Sequence, residues 1–427
     1  MGAQLTNAQV VANQLEHVDP IIEVMYERGD EFLNMISQAK DVKKVSSRLM
    51  RISLQINPGG NYRSVDRDGG DYGDGSGEAY DVATLTPVFR SMVFAITDLA
   101  MEATETTEQA LVEETNRIVA EGMQQFRSAL DKELQTNGNG VLGTISALAG
   151  TTATMTIPYG AQLVYNTQIV QIYDTTLTIN RSAAAGFKST VLSADPVTTN
   201  TIVFDQLPPG TIATDVIVLD GLTGANPVAL FGIKYHQSNA TTGVWLNLNR
   251  ATYPVQLATP RVNGNLGALV PMQPWLAINK IKKSLGLKKL GKLKAHMAVE
   301  QSQAWNQLAV TIQIVDRAKR ETGEGLDMGI RGAYDSAGNM CGVPITESQN
   351  ADQTRIDFID VAKWGRAVMK PMGFHKWAGG KVWLQKYGAS GGGAGAMLFQ
   401  YDHDFQVFTR SPRSGSYIDS LARPAGF

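Results

Sequence analysis

The sequence predicts an α+β fold with a separate all-β segment set into it, and three observations carry that expectation. Glutamate disappears between Glu133 and Glu300. Inside that gap, from Thr151 to Gln256, the chain turns to Thr, Val, Ile, Asn and Gly with few charges. On both sides of it the apolar residues recur at helical spacing.

The strongest helix is expected from near Thr107 to near Gly138. Thr106 and Gln109 have capping-box spacing, which lets each side chain satisfy a free backbone N–H of the first turn. Leu111, Ile118, Met123, Phe126, Leu130 and Leu134 place an apolar stripe on one face. Asn137, Gly138 and Gly140 supply the stop. At about 1.5 Å per residue the helix makes a rod of roughly 45 Å, long enough to span a domain.

Past that helix, runs such as TTATMTI, AQLVYNTQIVQIY, STVLSAD, NTIVFD and TDVIVLDG alternate with turn residues. Roughly six to eight short strands at this spacing read as a small sandwich or barrel. The plainer alternative is that they extend one larger sheet, but helical text and a change in charge pattern border them on both sides.

Ahead of the helix, residues 46–97 hold two strand-like stretches, MRISLQI and ATLTPVFRSMVFAIT, around the tip NPGGNYRSVDRDGGDYGDGSGEAYD. A tip of glycine and aspartate builds no core, so this reads as a long hairpin arm that projects towards a partner. Arg51, Arg63, Asp66, Arg67 and Asp68 alternate in charge along it and are the candidate intersubunit contacts. Upstream, the stretches Leu5 to Leu15 and Ile21 to Ile36 have helical spacing and form an N-terminal arm. Downstream, helices are expected near Met272 to Leu285, Val299 to Ala309 and Asp360 to Met369, and the chain finishes on strands such as MLFQYDHDFQVFTR.

Composition narrows the function. Thirty-eight basic residues against 40 acidic ones leave a net charge of −2, which removes a general DNA-coating role. The single cysteine, Cys341, closes no intrachain disulfide, and the start MGAQLTNAQV lacks the features of a secretory signal, so folding in a reducing cytoplasm is expected. No run of about 18 apolar residues supports a membrane-spanning helix.

Catalytic and metal-binding patterns do not emerge. The five histidines are scattered, with no pair at ligand spacing, and His403 between Asp402 and Asp404 reads as a strand residue facing away from both. Asp66, Asp68, Asp71, Asp74 and Glu78 suggest calcium, but an EF-hand loop begun at Asp66 puts Gly70 and Gly77 at ligand positions. The glycine run 388–397 matches no nucleotide motif and reads as a loop. Cys341 has no basic neighbour in sequence to activate it. No catalytic residue, metal ligand or cofactor is therefore assigned.

One basic cluster stands out, NKIKKSLGLKKLGKLKAH. Lys288, Lys289, Lys292 and Lys294, with Lys280, Lys282 and Lys283 before them, are candidates for contact with DNA or another subunit. Without interleaved aromatics for base stacking, a solvated surface is the alternative reading.

In order, the units resemble the Hong Kong 97-type major capsid proteins of tailed bacteriophages. The stretch from VFRSMVFAIT through NRIVAEGMQQFRSALDKELQTNGNG is similar to that family's passage from extended loop into spine helix, and DVAKWGRAVMKPM to a later helix. The resemblance implies an N-terminal arm (1–45), an extended loop (46–97), the spine helix and start of the peripheral domain (98–150), an inserted β domain (151–256), axial and peripheral domains (257–396) and closing core strands (397–427).

It also implies a structural, non-enzymatic subunit that self-assembles into hexamers and pentamers of an icosahedral head around double-stranded DNA. Portal, scaffolding and decoration proteins would be its partners, with no membrane, and the virion its location. No acidic scaffolding segment precedes the arm, so scaffolding would come from a separate protein or a removed segment. Some family members weld their shells from an arm lysine to an asparagine. Here no lysine falls between Lys44 and Lys132, so closure is expected to be noncovalent. The rival readings are an encapsulin-like nanocompartment shell and, further off, a surface or sugar-binding protein built on the β domain.

Overall fold

The structure, a computed structural model, describes residues 29–424 apart from 40–41, 47–48, 58, 66–67, 69, 72, 98–107, 226, 286–291, 309–337, 378–382 and 388–392. The expected N-terminal helix over Leu5 to Leu15 lies outside them. Of the stretch Ile21 to Ile36, the described helix is α1 (Glu31–Met35), which buries Phe32, Leu33 and Met35.

Strands β1 (Lys43–Ser46), β2 (Leu49–Asn57) and β3 (Ala79–Leu85) form an antiparallel sheet. Along β2, Met50, Ile52 and Leu54 are buried while Arg51, Ser53 and Gln55 are exposed, the period of two expected of a strand with one covered face. The expectation that the hairpin's second strand runs on to Thr97 is corrected. Pairing with β2 stops at Leu85, where Pro87 has no N–H to continue a ladder. The next strand, β4 (Val88–Thr97), pairs instead with a strand near the C-terminus.

Helix α2 (Glu108–Leu134) follows; its expected cap, Thr106, lies outside the described residues. Phe126, Leu130 and Leu134 pack with Phe32, Leu33, Ile36, Tyr401 and Phe405. Burying each such side chain contributes about 1.5–3 kcal/mol, so the stripe read from the sequence is what seats the helix. Past its end the chain turns at Gly138, whose φ is +79°. A Cβ there would lie 2.8 Å from the Phe231 ring, so both conformation and space call for glycine.

Six strands then close into an antiparallel barrel. They are β5 (Val141–Ala149), β6 (Thr152–Met155), β7 (Ile169–Tyr173), β8 (Ser189–Asp195), β9 (Thr201–Phe204) and β10 (Val216–Leu219), arranged in the order β10-β5-β6-β9-β8-β7. Leu142, Ile145, Met155, Val170, Ile172, Val191, Ile202, Phe204 and Ile217 fill it. The barrel begins at Val141, ahead of Thr151, and ends at Leu219. Residues beyond it, with the short strands β11 (Val244–Trp245) and β12 (Leu248–Asn249), place Trp245, Leu248 and Leu257 beneath Met50, Ile52 and Leu85 of the arm.

The central sheet has the order β13-β21-β17-β14-β16-β15. Its strands are β13 (Arg261–Asn263), β14 (Leu293–Ala298), β15 (Asn339–Met340), β16 (Val343–Ser348), β17 (Ile356–Asp360) and β21 (Ser416–Asp419). Helix α3 (Met272–Leu285), as expected from the sequence, and helix α4 (299–308) bring Ala277, Ile278, Ile281 and Trp305 into one core with Ile356, Phe358 and Ile418.

A last sheet joins β18 (Trp364–Phe374), β19 (Trp383–Tyr387) and the long β20 (Gly393–Thr409) to β4. It corrects the helix expected from Asp360 to Met369, and with it the likeness drawn between DVAKWGRAVMKPM and a family helix. Asp360 caps a single 3₁₀ turn, Val361–Lys363, and Trp364 is already extended. Gly365, Val368, Pro371 and Gly373 disfavour a helix, and the antiparallel ladder from Trp364–Thr409 to Phe374–Tyr401 supplies the backbone partners. Of the glycine run read as a loop, 388–392 lies outside the described residues, and Gly393 onward is strand.

Candidate assembly surfaces

The arm is anchored at its base. Asn247 accepts from the Thr84 N–H at 2.7 Å and donates to the Val82 carbonyl at 3.0 Å, so one amide side chain substitutes for a neighbouring strand along β3. The Tyr253 hydroxyl donates to Asp81 at 3.0 Å. The opposite face is open: Tyr80 is 62% and Val82 39% exposed, and Arg51 stands exposed beside them on β2.

Further out, the tip is held by local bonds. Gly60 N donates to the Ser76 carbonyl at 2.8 Å, and Asn61 Nδ2 to the Asp74 carbonyl at 3.1 Å. Arg63 lies against Gly73, whose φ is +62° and whose missing Cβ leaves room for the guanidinium. Arg63 and Asp68 are exposed, and Tyr62 is wholly so. Asp66 and Arg67 lie outside the described residues. The structure thus brings Arg51, Arg63 and Asp68 onto one arm, with Arg51 on its strand and the other two at its tip.

Strand β4 offers a second surface, one the sequence did not signal. Its ladder with β20 runs from Val88–Phe405 to Thr97–Ala396, and its other edge pairs with no strand among the described residues. Val88, Met92 and Phe94 face α2, where Phe94 covers Gly122 so closely that a Cβ would lie 2.5 Å from the ring. Phe89 (50% exposed) and Val93 (53%) face away. An open edge with large apolar side chains is a template for another chain.

Between them, Arg90 turns inward. It donates to the nearly buried Glu133 of α2 from Nε at 2.8 Å and Nη2 at 2.5 Å. Glu133 also accepts from the Leu230 N–H at 2.9 Å, so one carboxylate joins the edge strand, the long helix and the chain leaving the barrel.

The candidate lysines do not form one patch. Lys282 lies over the Trp275 ring at 5.5 Å, and Lys280 and Lys283 are exposed on α3. Lys292 is exposed just before β14, whereas Lys294 is half-buried within that strand. Lys288 and Lys289 lie outside the described residues.

The barrel is clamped to the core. The Tyr159 hydroxyl donates to the Gln135 carbonyl at 2.5 Å, Lys234 sits 4.3 Å from the Tyr159 ring centre and 2.6 Å from Asp352, and Gln162 Nε2 donates to the Ala351 carbonyl at 2.8 Å. These residues are scattered in sequence and carry no motif.

Three of the histidines, His236, His296 and His403, are buried and serve packing. His236 Nε2 lies 3.0 Å from the Val407 carbonyl, and Nδ1 accepts from the Trp245 indole at 3.2 Å. Nε2 must therefore carry the proton, and the ring is neutral. Burial pushes both His236 and His296 down to about 3, and His403 to about 4. Burial pushes the Cys341 thiol up to about 12, which silences it as a nucleophile. Among the described residues no group of three His, Cys, Asp or Glu side chains could hold a metal, and no helix is long and apolar enough to cross a membrane.

No family model and no curated sequence matches this chain. Solved structures do. A subunit of the cyanophage A-1(L) capsid superposes with a TM-score of 0.51 at 9% identity, over 94% of this chain and 95% of that one. The Mycobacterium phage Bobi structure gives 0.46 at 10% identity over all of both chains, and the phage XM1 capsid 0.41 at 9% over 96% and 97%. The cyanophage match shows that this chain has the fold of a viral shell subunit. More particularly, it is the α+β, Hong Kong 97-type fold of phage major capsid proteins.

Proposed function

We propose that this protein is the major capsid protein of a tailed bacteriophage, a structural subunit of the virion without catalytic activity. The observation that carries the reading is the match of nearly the whole chain to a cyanophage capsid subunit. The exposed arm and the open β4 edge support it, since each is a surface that a neighbouring copy can cover.

On this reading copies assemble into hexamers and pentamers of an icosahedral head that encloses double-stranded DNA. Arms overlap neighbours, and many weak contacts repeated around each ring give an avidity that no single contact has. Arg51, Arg63, Asp66, Arg67 and Asp68 set register between subunits, and the lysines near α3, including Lys288, Lys289, Lys292 and Lys294, touch DNA or a neighbour. The barrel is an inserted domain that stiffens the subunit through the clamp at Tyr159 and Lys234. Portal, scaffolding and decoration proteins complete the set of partners, and assembly takes place in the host cytoplasm.

Sedimentation velocity of the purified protein, expressed with the neighbouring genes of its source, tests this. Large, rapidly sedimenting shells are expected; a single slow species under all conditions would refute the reading.

A further inference from the structure

At one end of the central sheet, where β14 begins, β17 ends and the chain passes from β20 to β21, four separate segments meet and each brings a cation. The Val361 N–H donates to the Lys292 carbonyl at 3.2 Å, the Arg410 N–H to the Lys363 carbonyl at 2.9 Å, and the Ser284 hydroxyl to the Arg413 carbonyl at 3.4 Å. These bonds gather Lys283 in the last turn of α3, Lys292 just before β14, Lys363 in the 3₁₀ turn after β17, and Arg413 in the turn Pro412–Ser414 that leads to β21. Arg410, in the same link as Arg413, adds a fifth charge. Lys363, Arg410 and Arg413 lie far from the basic run NKIKKSLGLKKLGKLKAH in sequence, and folding brings them to it.

Lys283, Lys292, Lys363 and Arg410 are exposed, and Arg413 is half-buried. Among the described residues, Lys283, Lys292, Lys363 and Arg413 enter no ion pair. The carboxylate beside them, Asp360, is 7% exposed and accepts from the Ala362 N–H at 3.2 Å, so it serves the backbone of the turn. Cations are favoured at a helix C-terminus, which accounts for Lys283. It does not account for Lys292, Lys363 or Arg413. Like charges held together without partners repel, and the repulsion is relieved when a polyanion covers them.

The surroundings select the polyanion. A protein partner is held by an apolar or aromatic centre inside a polar rim. None of the exposed large apolar side chains among the described residues falls in 280–285, 292–294, 356–364 or 409–416. Trp364, next to Lys363, is only 5% exposed and gives no platform for an unstacked base. What remains is a set of cations on strand ends and short turns, suited to phosphates and indifferent to base sequence.

We infer that this end of the central sheet binds the phosphate backbone of double-stranded DNA through Lys283, Lys292, Lys363 and Arg413, and that it faces the interior of the shell. The inference rests on the capsid reading for the presence of DNA and names the surface that meets it. The net charge of −2 excludes a general coating role and leaves room for one local patch.

The test is fluorescence anisotropy of a labelled DNA duplex with the purified full-length subunit before assembly. Four phosphate contacts predict that affinity falls roughly 100-fold between about 50 and 200 mM salt. Combining Lys283→Gln, Lys292→Gln and Lys363→Gln should lower the slope of log affinity against log salt by about 3. A control combining Lys43→Gln, Lys188→Gln and Lys376→Gln, exposed elsewhere, should keep the slope of the unmodified protein. Equal losses in both variants, or no salt-dependent binding at all, would overturn the inference. So would a poly-glutamate peptide that binds through the patch while the duplex does not, since the occupant would then be an acidic protein. Amine acetylation of the unmodified protein gives a second reading that needs no folded variant: duplex should slow modification of Lys283, Lys292 and Lys363 severalfold and spare Lys43 and Lys376, and equal protection at all five would contradict the proposal. Duplex binding that ignores the patch in a protein that forms normal shells would sink this inference alone. Patch-dependent binding in a protein that never assembles would sink only the capsid reading.

Discussion

Asn350 donates through Nδ2 to the Asp131 carboxylate at 2.8 Å, deep inside the molecule where Asp131 has no exposed surface. The other oxygen of Asp131 accepts from the Leu33 N–H at 2.9 Å. One carboxylate of the long helix therefore holds both the N-terminal helix and the loop after β16. No cation pairs with it among the described ion pairs, and burial, with Glu31 and Asp30 adding to it, pushes its pKa up to about 7 against the pull of its two hydrogen bonds.

The sign of the pH dependence follows. An acid with a raised folded pKa binds its proton more tightly folded than unfolded, so folding stability falls as pH rises from about 4 to about 7 and the loss is complete above that. The full effect is on the order of 4 kcal/mol. Urea unfolding of the unassembled subunit between pH 5 and 8 should show this decline, and Asp131→Asn should flatten it. An equal slope in both proteins would contradict the assignment.

Arg90 and Glu133 join β4 to α2 through a two-point contact that is nearly out of water. Breaking such a pair leaves one charge buried alone, at a cost of about 3–5 kcal/mol. Glu133→Gln should lower stability by that order, and replacing both residues with apolar ones should restore much of it. A double-mutant cycle by chemical denaturation measures the coupling.

Gly232 tests packing without backbone strain, since its φ is −88°. A Cβ there would lie 2.3 Å from the Thr136 carbonyl oxygen and 2.4 Å from that of Leu134. Backbone atoms at a helix end cannot yield as a side chain can, so Gly232→Ala should destabilise by about 1–3 kcal/mol, visible as a lower midpoint in thermal unfolding.

The arm separates assembly from folding. Arg63 is exposed at the tip, and Arg67 is its charge neighbour in sequence. Reversing both to glutamate should block shell formation and leave the subunit's far-UV circular dichroism and unfolding midpoint unchanged. Normal particles from this variant would refute the register role.

Closure without covalent links is the companion prediction. The arm carries no lysine between Lys44 and Lys132, and Lys44 itself is engaged with the Met369 carbonyl at 3.0 Å. Mature particles boiled in detergent should run as a single band of monomers; ladders of linked subunits would contradict it.

Much of this architecture was legible from local pattern. The stripe Phe126, Leu130 and Leu134 named the long helix and the face it buries, and α3 from Met272 to Leu285 followed from its own spacing. The β-rich text beyond Thr151 pointed to a small sandwich or barrel, although its first strand, VLGTISALA, begins ten residues earlier, at Val141. What stayed hidden is non-local. Val88 to Thr97 reads as half of a hairpin until β20, some three hundred residues later, takes it as a partner. DVAKWGRAVMKPM is helical in local spacing and becomes a strand because β20 supplies a ladder. Asp131, Asn350, Arg90 and Glu133 carry no signal in the sequence, since burial of a polar side chain depends on what folds over it and leaves no mark in a single sequence.

Cryo-electron microscopy of the assembled protein is the most direct test of the central claim. The account predicts closed icosahedral shells in which this chain forms hexamers and pentamers, with the arm bearing Arg51 and Arg63 crossing onto a neighbouring copy and the β4 edge covered. Protein that stays monomeric with its phage partners present, or that forms small closed rings with the arm and β4 free, would contradict it.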